Sequence, residues 1–499
     1  MEVKLINKQL QCIQPFYGQI HTQEQTQEIR LPDAYPDIGK VLGCWGQVLM
    51  RGKEWRSTSM GANGGVMAWV MYAPEDGTQP RVLDAWIPMT CRWEFPEQAD
   101  DGIMILNPML SSLDSRGISA RKIMMRASVD TFAQAYRKKA MELPIPGELP
   151  EDVQLLTRSY PVELPIEAGE KQVQLDETMP IPGNIPEIQK ILAYDMIPYI
   201  TESKVLGNRL VFRGLMDVQM QYLTPEGEIA SWKTEIPFSQ FTELDGDYAP
   251  GASAWVMPVM TAMEMEQTEN GQLHLRAGVA AQYVIFDRMM LDVVEDAYSP
   301  KREILPKIQQ MQLPILLDNT AMEMQVTGML KADADRLESA RVYGEYPTLR
   351  MGNETAELSL DGQFQTLFRN SENMLMGDTV RFESSVPFST APENQIQLWP
   401  GFPMAIEDTP GTDGFALRSA YPMTVQVYSG QSIPMVSELE IGEMKEADPS
   451  RPSIILRRVG DEGLWSIAKD YGSTVQAIRE ANQLADEPEN GQMLLIPIS

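Results

Sequence analysis

The sequence predicts a mainly β protein, in which tandem β-rich domains are followed by a small βααβ module. Through most of the chain, stretches that alternate apolar and polar residues end in turns containing Pro and Gly, which is typical of strands joined by hairpins. The same landmarks return after 150 residues, which predicts internal repeats. Only near the C-terminus does the apolar spacing become helical, between two short apolar runs.

The composition fits a globular protein of two to four domains, since the chain has 499 residues and 43% of them are hydrophobic. The net charge of −29 at pH 7 repels nucleic acid phosphates and anionic lipids, so we expect neither as a partner. This charge either keeps the protein soluble or attracts a basic partner surface, and the sequence leaves both interpretations open.

The three cysteines, Cys12, Cys44 and Cys91, are odd in number and lack the spacing of a metal site, which favours a reducing compartment. The first residues lack the apolar segment of a secretory signal. No run of about 18 apolar residues occurs, so we expect no membrane span. These features predict a protein that is made in the cytosol and stays there.

The repeats are clearest where residues 31–42, LPDAYPDIGKVL, match residues 181–192, IPGNIPEIQKIL. A third, degenerate copy keeps a Val-Pro-Phe-Ser segment at 386–389 but lacks the Pro-x-x-x-Pro-x-Ile segment of the other two. The predicted domains are repeat 1 at 1–150, repeat 2 at 151–303, degenerate repeat 3 at 304–430, an acidic linker at 431–452 and a C-terminal module at 453–499.

Repeat 2 shows the predicted elements best. A strand at 211–222 meets a turn at 224–228 and returns at 229–236. Residues 186–192 predict a short helical turn, because Pro stands first and the apolar residues fall on one helical face. The Pro of each Ile-Pro-Phe-Ser-like segment lacks an N–H and should lie at a strand end or on an edge strand. The alternative to the acidic linker is an edge strand at 439–441.

These repeats, with their Pro-x-I/L-x-x-I/V-L segment, Gly-led strand, turn and Ile-Pro-Phe-Ser strand end, resemble the SPOCS domain of spore-forming bacteria. The resemblance covers repeats 1 and 2 and part of repeat 3. It implies a body built from binding-type β domains.

The C-terminal module begins with an apolar run at 454–459, which predicts a strand. A first helix should contain Leu464, Ile467, Ala468 and Tyr471 on one face and stop at Gly472. Ser473 and Gln476 predict a capping box that opens a second helix, which ends at Asn482. Residues 493–497 predict the closing strand.

This module resembles the LysM domain through Gly460-Asp461, Leu464 to Ala468, Tyr471-Gly472, Ala481-Asn482, Leu484, Gly491-Gln492 and Leu495 to Pro497. The resemblance implies binding of N-acetylglucosamine polymers in a groove between the loop after the first strand and the loop after the second helix. By position, the residues that would bind a glycan or a protein partner are Asp461, Glu462, Gly463, Leu464, Asn482, Gln483, Leu484 and Ala485. The inserted Glu462-Gly463 and the acidic second loop favour a protein partner.

No enzyme signature occurs, so we expect no catalytic residues, no metal ligands and no cofactor. The two histidines, His21 and His274, lie at unmatched positions of different repeats. Five tryptophans concentrate in repeat 1, where they either form a β core or provide an exposed contact surface. They are Trp45, Trp55, Trp69, Trp86 and Trp93.

SPOCS-like repeats followed by a LysM module resemble spore-coat morphogenetic proteins. The resemblance implies a non-enzymatic scaffold that assembles on the forespore surface from the mother-cell cytosol. Its implied partners are spore-coat proteins, among them the coat-basement ATPase. The alternative function is a peptidoglycan-binding protein of the cortex or cell wall, and a third, weaker hypothesis is a carbohydrate enzyme.

Overall fold

The computed structural model describes residues 2–3, 6–145, 147–331, 333–352, 355–412, 414–445 and 451–498. These residues form antiparallel strands almost throughout, with two short helices near the C-terminus. The prediction of a mainly β protein is therefore confirmed.

The first repeat folds into two three-stranded antiparallel sheets. Its strands are β1 (Glu2–Val3), β2 (Ile6–Leu10), β3 (Ile13–Arg30), β4 (Ile38–Arg56), β5 (Ser59–Pro74), β6 (Arg81–Glu94), β7 (Ile103–Ser119), β8 (Lys122–Lys138) and β9 (Met141–Ile145). One sheet has the order β3-β8-β7 and the other β4-β5-β6, while β2 pairs with β9.

The second repeat has the same plan. Its strands are β10 (Gln154–Pro180), β11 (Lys190–Leu223), β12 (Ile229–Tyr248), β13 (Ser253–Gln267) and β14 (Gln272–Tyr298). The order β10-β14-β13 corresponds to the first sheet of repeat 1, and the pair β11-β12 corresponds to the second. The long strand β11 takes the place of both β4 and β5.

The third repeat keeps the plan with more breaks. Its strands are β15 (Arg302–Gln312), β16 (Leu316–Leu330), β17 (Ala334–Gly344), β18 (Thr348–Met351), β19 (Thr355–Asn370), β20 (Leu375–Ser389), β21 (Gln395–Pro400), β22 (Glu407–Gly411) and β23 (Gly414–Tyr428), and β24 (Ser432–Met444) follows in the range predicted as a linker. One sheet has the order β16-β23-β21 with β22 also on β23, and in the other β19 pairs with β17, β18 and β20. Strand β24 pairs with β15 and β1.

The predicted hairpin of repeat 2 is confirmed. Its turn contains Gly227 at φ 83°, whose N–H donates to the carbonyl of Thr224 at 2.9 Å. The proline of the Ile-Pro-Phe-Ser-like segment lies on an edge strand in every repeat, as Pro88 on β6, Pro237 on β12 and Pro387 on β20. An edge strand tolerates the missing N–H because one side of it has no partner.

The helical turn predicted at 186–192 is wrong. Residues 186–189 belong to no helix, and β11 begins at Lys190. The backbone N–H of Gln189 donates to the carbonyl of Leu223 at 2.8 Å, so this segment already pairs with a strand. Ile188 and Leu192 are both buried, and an even spacing also places two residues on one face of an extended chain.

Within the range predicted as an acidic linker, residues 432–444 form strand β24. Its buried residues include Ile433, Met435, Val436, Leu439 and Ile441, and most of its acidic side chains lie outside. The alternative of an edge strand at 439–441 was therefore right about a strand, but β24 is longer and lies between β1 and β15 rather than at an edge. Residues 446–450 lie outside the described part of the chain, and the domain boundaries stay a prediction.

Equivalent strands of the three repeats contact one another side by side. The Gln47 amide on β4 donates to the carbonyl of Met196 on β11 at 2.5 Å and accepts from its N–H at 3.1 Å, which joins repeats 1 and 2. Arg341 on β17 pairs with Asp195 at 2.5 Å, which joins repeats 2 and 3. Both side chains of this ion pair are only 10% exposed.

The ring of contacts closes between repeats 3 and 1. The N–H of Gly46 donates to the Tyr343 hydroxyl at 3.0 Å. A cavity of about 120 Å³ lies where these strands meet, and all three repeats line it with residues such as Val48, Leu110, Ile197, Met260, Arg341 and Tyr421. The three repeats therefore form one closed body.

One glycine recurs at the equivalent position of each repeat because the neighbouring backbone leaves no room for a side chain. A Cβ at Gly64, Gly214 or Gly362 would lie 2.3, 2.2 and 2.2 Å, respectively, from a backbone carbonyl oxygen of the adjacent strand segment. Close packing against the adjacent backbone therefore explains why glycine occurs at this position of the strand in each repeat.

The tryptophans of repeat 1 belong mainly to the core. Trp45, Trp69 and Trp93 are 4, 3 and 3% exposed, and Trp55 and Trp86 are half-buried. The core-packing alternative therefore holds for the first three.

Candidate functional site

The C-terminal module has the predicted order of strand, helix, helix and strand. Its elements are β25 (Ile454–Arg458), α1 (Leu464–Tyr471), α2 (Val475–Asn482) and β26 (Met493–Pro497). Helix α1 buries Leu464, Ile467 and Ala468 against Ile478 of α2. This apolar spacing gives each short helix one buried face, which stabilises it more than its own propensity does.

The helix ends differ from prediction at one residue. Gly472 ends α1 in the left-handed conformation at φ 65°, as expected from its lack of a Cβ. The N-cap of α2 is Thr474 rather than Ser473, because the Thr474 hydroxyl accepts from the Ala477 N–H at 3.0 Å. Ser473 is fully buried instead.

The first candidate loop follows β25 and is held by its own carboxylate. Glu462 accepts from the Gly460 N–H at 3.3 Å and from Arg457 at 2.7 Å. Backbone N–H groups and the nearby guanidinium lower the pKa of Glu462 below its usual value. Asp461 and Gly463 are exposed, and Asp461 accepts from the Asn490 amide at 2.7 Å.

Glu487 connects this loop to the region after α2. Its carboxylate accepts from the Leu464 N–H at 3.0 Å and pairs with Arg479 at 3.2 Å. Leu464 itself is 1% exposed and belongs to the module core. A backbone donor of the expected groove is therefore already occupied, and Leu464 packs rather than binds.

The second candidate loop is only partly available to a ligand. The Asn482 amide donates to the carbonyls of Ile478 and Leu495, at 2.8 and 2.6 Å, and accepts from the Leu495 N–H at 2.7 Å. Asn482 therefore fixes α2 to β26. Leu484 packs against the core, whereas Gln483 and Ala485 are exposed.

The module is docked on repeat 2 through the other side of α1. The indole N–H of Trp465 donates to Asp296 at 2.9 Å, and Lys469 pairs with the same carboxylate at 2.7 Å. Tyr298 donates its hydroxyl proton to the carbonyl of Ser473 at 3.0 Å, and its ring lies edge-on to Trp465, with 4.8 Å between centroids. Burial raises the pKa of Tyr298 to about 12.

The sequence alone does not predict this contact. Trp465 and Lys469 lie at i and i+4 on one helix face, which is a local signal for a shared contact. Their partner lies 169 residues from Trp465 in the chain, and no local pattern marks Asp296. The candidate site thus consists of the exposed residues Asp461, Gly463, Gln483 and Ala485, held by a module with a fixed orientation on the body.

His274 does not resemble a catalytic base, because its two ring nitrogens lie against carboxylates of neighbouring strands. Asp176 is 2.7 Å away and Glu266 is 3.3 Å away. Within the described part of the chain, no group of three or more His, Cys, Asp or Glu side chains is arranged to hold a metal ion. None of the helices described is both long and apolar enough to cross a membrane.

Two segments of the chain match known family models. Residues 187–270, within repeat 2, match the family described as the SipL SPOCS domain, and residues 460–497 match the LysM domain. No curated protein matches the chain, and no solved structure does. Both matched domains are binding modules without catalytic chemistry. The chain is therefore similar to the SPOCS domain of SipL in repeat 2 and to LysM domains at its C-terminal end, a combination that fits a sporulation protein with a peptidoglycan-binding module.

Proposed function

We propose that this protein is a non-enzymatic scaffold of the spore coat, which links coat proteins at the forespore surface. The observation that carries the proposal is that a SPOCS-type repeat and a LysM module occur in one chain and are docked on each other through Asp296, Trp465 and Lys469. Such docking fixes the distance and direction between two binding surfaces. A scaffold uses that geometry to position its partners.

The groove of the module supports a protein partner over a glycan. Leu464 and Asn482 serve the fold, and Glu487 occupies the Leu464 N–H. The exposed loop residues that remain include Asp461 beside an acidic second loop. A carboxylate-rich surface attracts a basic protein surface more strongly than a neutral sugar.

We further propose that the protein acts in the mother-cell cytosol and assembles on the forespore surface. Its partners there are spore-coat proteins, among them the coat-basement ATPase. This part of the proposal rests on the resemblance to spore-coat morphogenetic proteins.

The test is co-purification of an affinity-tagged full chain from sporulating cells. Coat proteins, including the coat-basement ATPase, should be captured by the intact chain and lost from a chain without residues 453–499. Asp461→Arg, which reverses one exposed charge on the loop, should weaken capture, whereas Glu372→Gln on the exposed surface of repeat 3 should not. Undiminished capture by the shortened chain would contradict a linking role for the module.

The alternative is peptidoglycan binding through the LysM module, which the family match and the exposure of Gln483 favour. Its test is sedimentation of the purified chain with insoluble peptidoglycan. Retention that disappears in Asp461→Ala or Gln483→Ala, with no coat protein captured, would replace the scaffold by a glycan-binding function.

A further inference from the structure

A second surface with the properties of a binding site lies between repeats 2 and 3, away from the LysM module. It is a cleft of about 680 Å³. Clefts that bind ligands usually have volumes of about 300–1,000 Å³. Its walls are residues 198–203 of β11, 254–258 of β13, 321–323 of β16, 399–402 and 422–424.

Two tryptophans contact each other in this cleft, which the aromatic rings of Tyr199 and Phe402 also line. The rings of Trp255 and Trp399 lie 4.0 Å apart between centroids, at an interplanar angle of 39°. Trp399 is buried and donates its indole N–H to Gln426 at 2.6 Å. Trp255 is half-buried, and among the described residues its indole N–H has no acceptor. Of the two tryptophans, Trp255 is therefore the one that a ligand can reach.

Three of the four hydroxyl groups that line the cleft offer lone pairs rather than protons. Tyr199, Thr201 and Ser203 each donate to a backbone carbonyl, at 2.9, 3.2 and 2.9 Å. A hydroxyl that already donates its one hydrogen bond can only accept a further one. The cleft therefore offers more acceptors than donors, which suits a ligand that is rich in donors.

The charges of the cleft point the same way. Glu202 and Glu323 line it, and none of its lining residues, all of them within the described chain, is Lys, Arg or His. Glu323 is exposed and has no ion-pair or hydrogen-bond partner among the described residues. Arg213, the partner of Glu202, lies 3.6 Å away and is itself 67% exposed. Two carboxylates thus remain available to a cation.

We propose that this cleft binds an arginine- or lysine-rich segment of a protein partner. The cationic group lies against the Trp255 ring and pairs with Glu202 and Glu323. An arginine side chain has five N–H donors and no acceptor, which complements a cleft of acceptors and aromatic faces. A sugar also needs donors from the protein to its ring and acetamido oxygens, and this cleft supplies few. The inference rests on the proposed function in that the partner is a protein.

The experiment measures fluorescence anisotropy of a labelled Arg-Gly decapeptide titrated with the purified full chain at physiological salt. The control peptide carries citrulline, which has the shape of arginine without its charge. We expect saturable binding of the arginine peptide and at least about tenfold weaker binding of the citrulline peptide, as expected when two carboxylates and an aromatic face contribute.

Two variants locate the binding. Trp255→Ala and the double variant Glu202→Gln/Glu323→Gln should each weaken it about fivefold or more, since each removes one part of the cation site. The double variant keeps the side-chain volumes and guards against a folding defect in Trp255→Ala. Glu177→Gln/Glu372→Gln removes the same charge from the exposed surface elsewhere and should change affinity less than about twofold.

Equal binding of the arginine peptide by both double variants would overturn the proposal, because general attraction to the net charge of −29 would then account for the binding. Binding of an N-acetylglucosamine oligomer that Trp255→Ala abolishes, without binding of the arginine peptide, would overturn it in favour of a glycan. If the chain captures coat proteins but does not bind the peptide, the cleft proposal is refuted and the proposed scaffold function stands. If the chain binds the peptide but captures no coat protein, the proposed scaffold function is refuted and the cleft proposal stands.

Discussion

The recurring glycines show how single residues determine the packing of each repeat. At Gly214 a Cβ would lie 2.2 Å from the carbonyl oxygen of Tyr199 and 2.4 Å from the ring of Phe238. Such distances force either the backbone or the ring to move. Gly251, by contrast, has no atom within 4 Å of the corresponding position.

Gly214→Ala should therefore destabilise the protein by about 1–3 kcal/mol, the usual cost of overpacking. Gly251→Ala, the matched control, should change stability by less than about 0.5 kcal/mol. Chemical unfolding followed by Trp fluorescence measures both. Equal midpoints for the two variants would mean that the repeat tolerates a methyl group here.

Glu487 is the residue that joins the two loops of the LysM-like module. Glu487→Ala removes the acceptor of the Leu464 N–H, so we expect this amide to exchange its hydrogen faster. The Ala477 amide, which Thr474 caps, is an internal control and should keep its exchange rate. Unchanged exchange at Leu464 would show that another group holds the loop.

At the scale of elements, His274 connects three strands of one sheet. It lies on the central strand β14 and contacts Asp176 on β10 and Glu266 on β13. The two carboxylates raise the pKa of His274 above its ordinary value of 6.5. A raised folded-state pKa stabilises the fold fully below the unfolded pKa, and this stabilisation is lost as the pH rises through the folded value.

The stability advantage of the native chain over His274→Gln should accordingly be larger at pH 6 than at pH 8.5. The difference between the two chains at each pH removes the contribution of all other titrating groups. Thermal melting in matched buffers measures it, and an advantage that grows with pH would contradict the assignment.

The elements that the sequence predicts correctly are those with strong local patterns. The hairpin at 211–236 alternates and contains a Gly in the turn, and Leu464 to Tyr471 has helical spacing ended by Gly472. The helical turn predicted at 186–192 was wrong because the spacing of Ile188 and Leu192 fits one face of a helix and also one face of an extended strand. The strand at 432–444 was predicted only as the short alternative at 439–441, because Glu438, Glu440 and Glu443 alternate with its apolar residues there.

At the scale of the whole molecule, no local pattern could predict how the repeats meet. Asp195 and Arg341 are 146 residues apart and become an ion pair only in the closed body. The docked residues Trp465 and Asp296 are 169 residues apart. Such contacts depend on the three-dimensional placement of whole repeats. The sequence therefore locates the candidate loops, but it does not predict the fixed orientation of the module on repeat 2.

Arg341→Met should destabilise the protein by about 3–5 kcal/mol, because it leaves the buried Asp195 carboxylate without its cation. The double variant Asp195→Leu/Arg341→Met removes both charges and should recover most of that loss. Chemical unfolding of the native chain and the three variants, including Asp195→Leu, gives the coupling between the two residues. Additive effects would mean that the pair does not hold repeats 2 and 3 together.

The closed ring of repeats has an evolutionary consequence. An open array can gain or lose a unit at either end, since each unit touches only its neighbours. Here the third unit also touches the first, through Tyr343 and Gly46, so a fourth copy would have to break an existing contact before it could join. New binding properties are thus expected from differences among these three repeats, such as the strand that is continuous as β13 in repeat 2 and is interrupted between β21 and β22 in repeat 3.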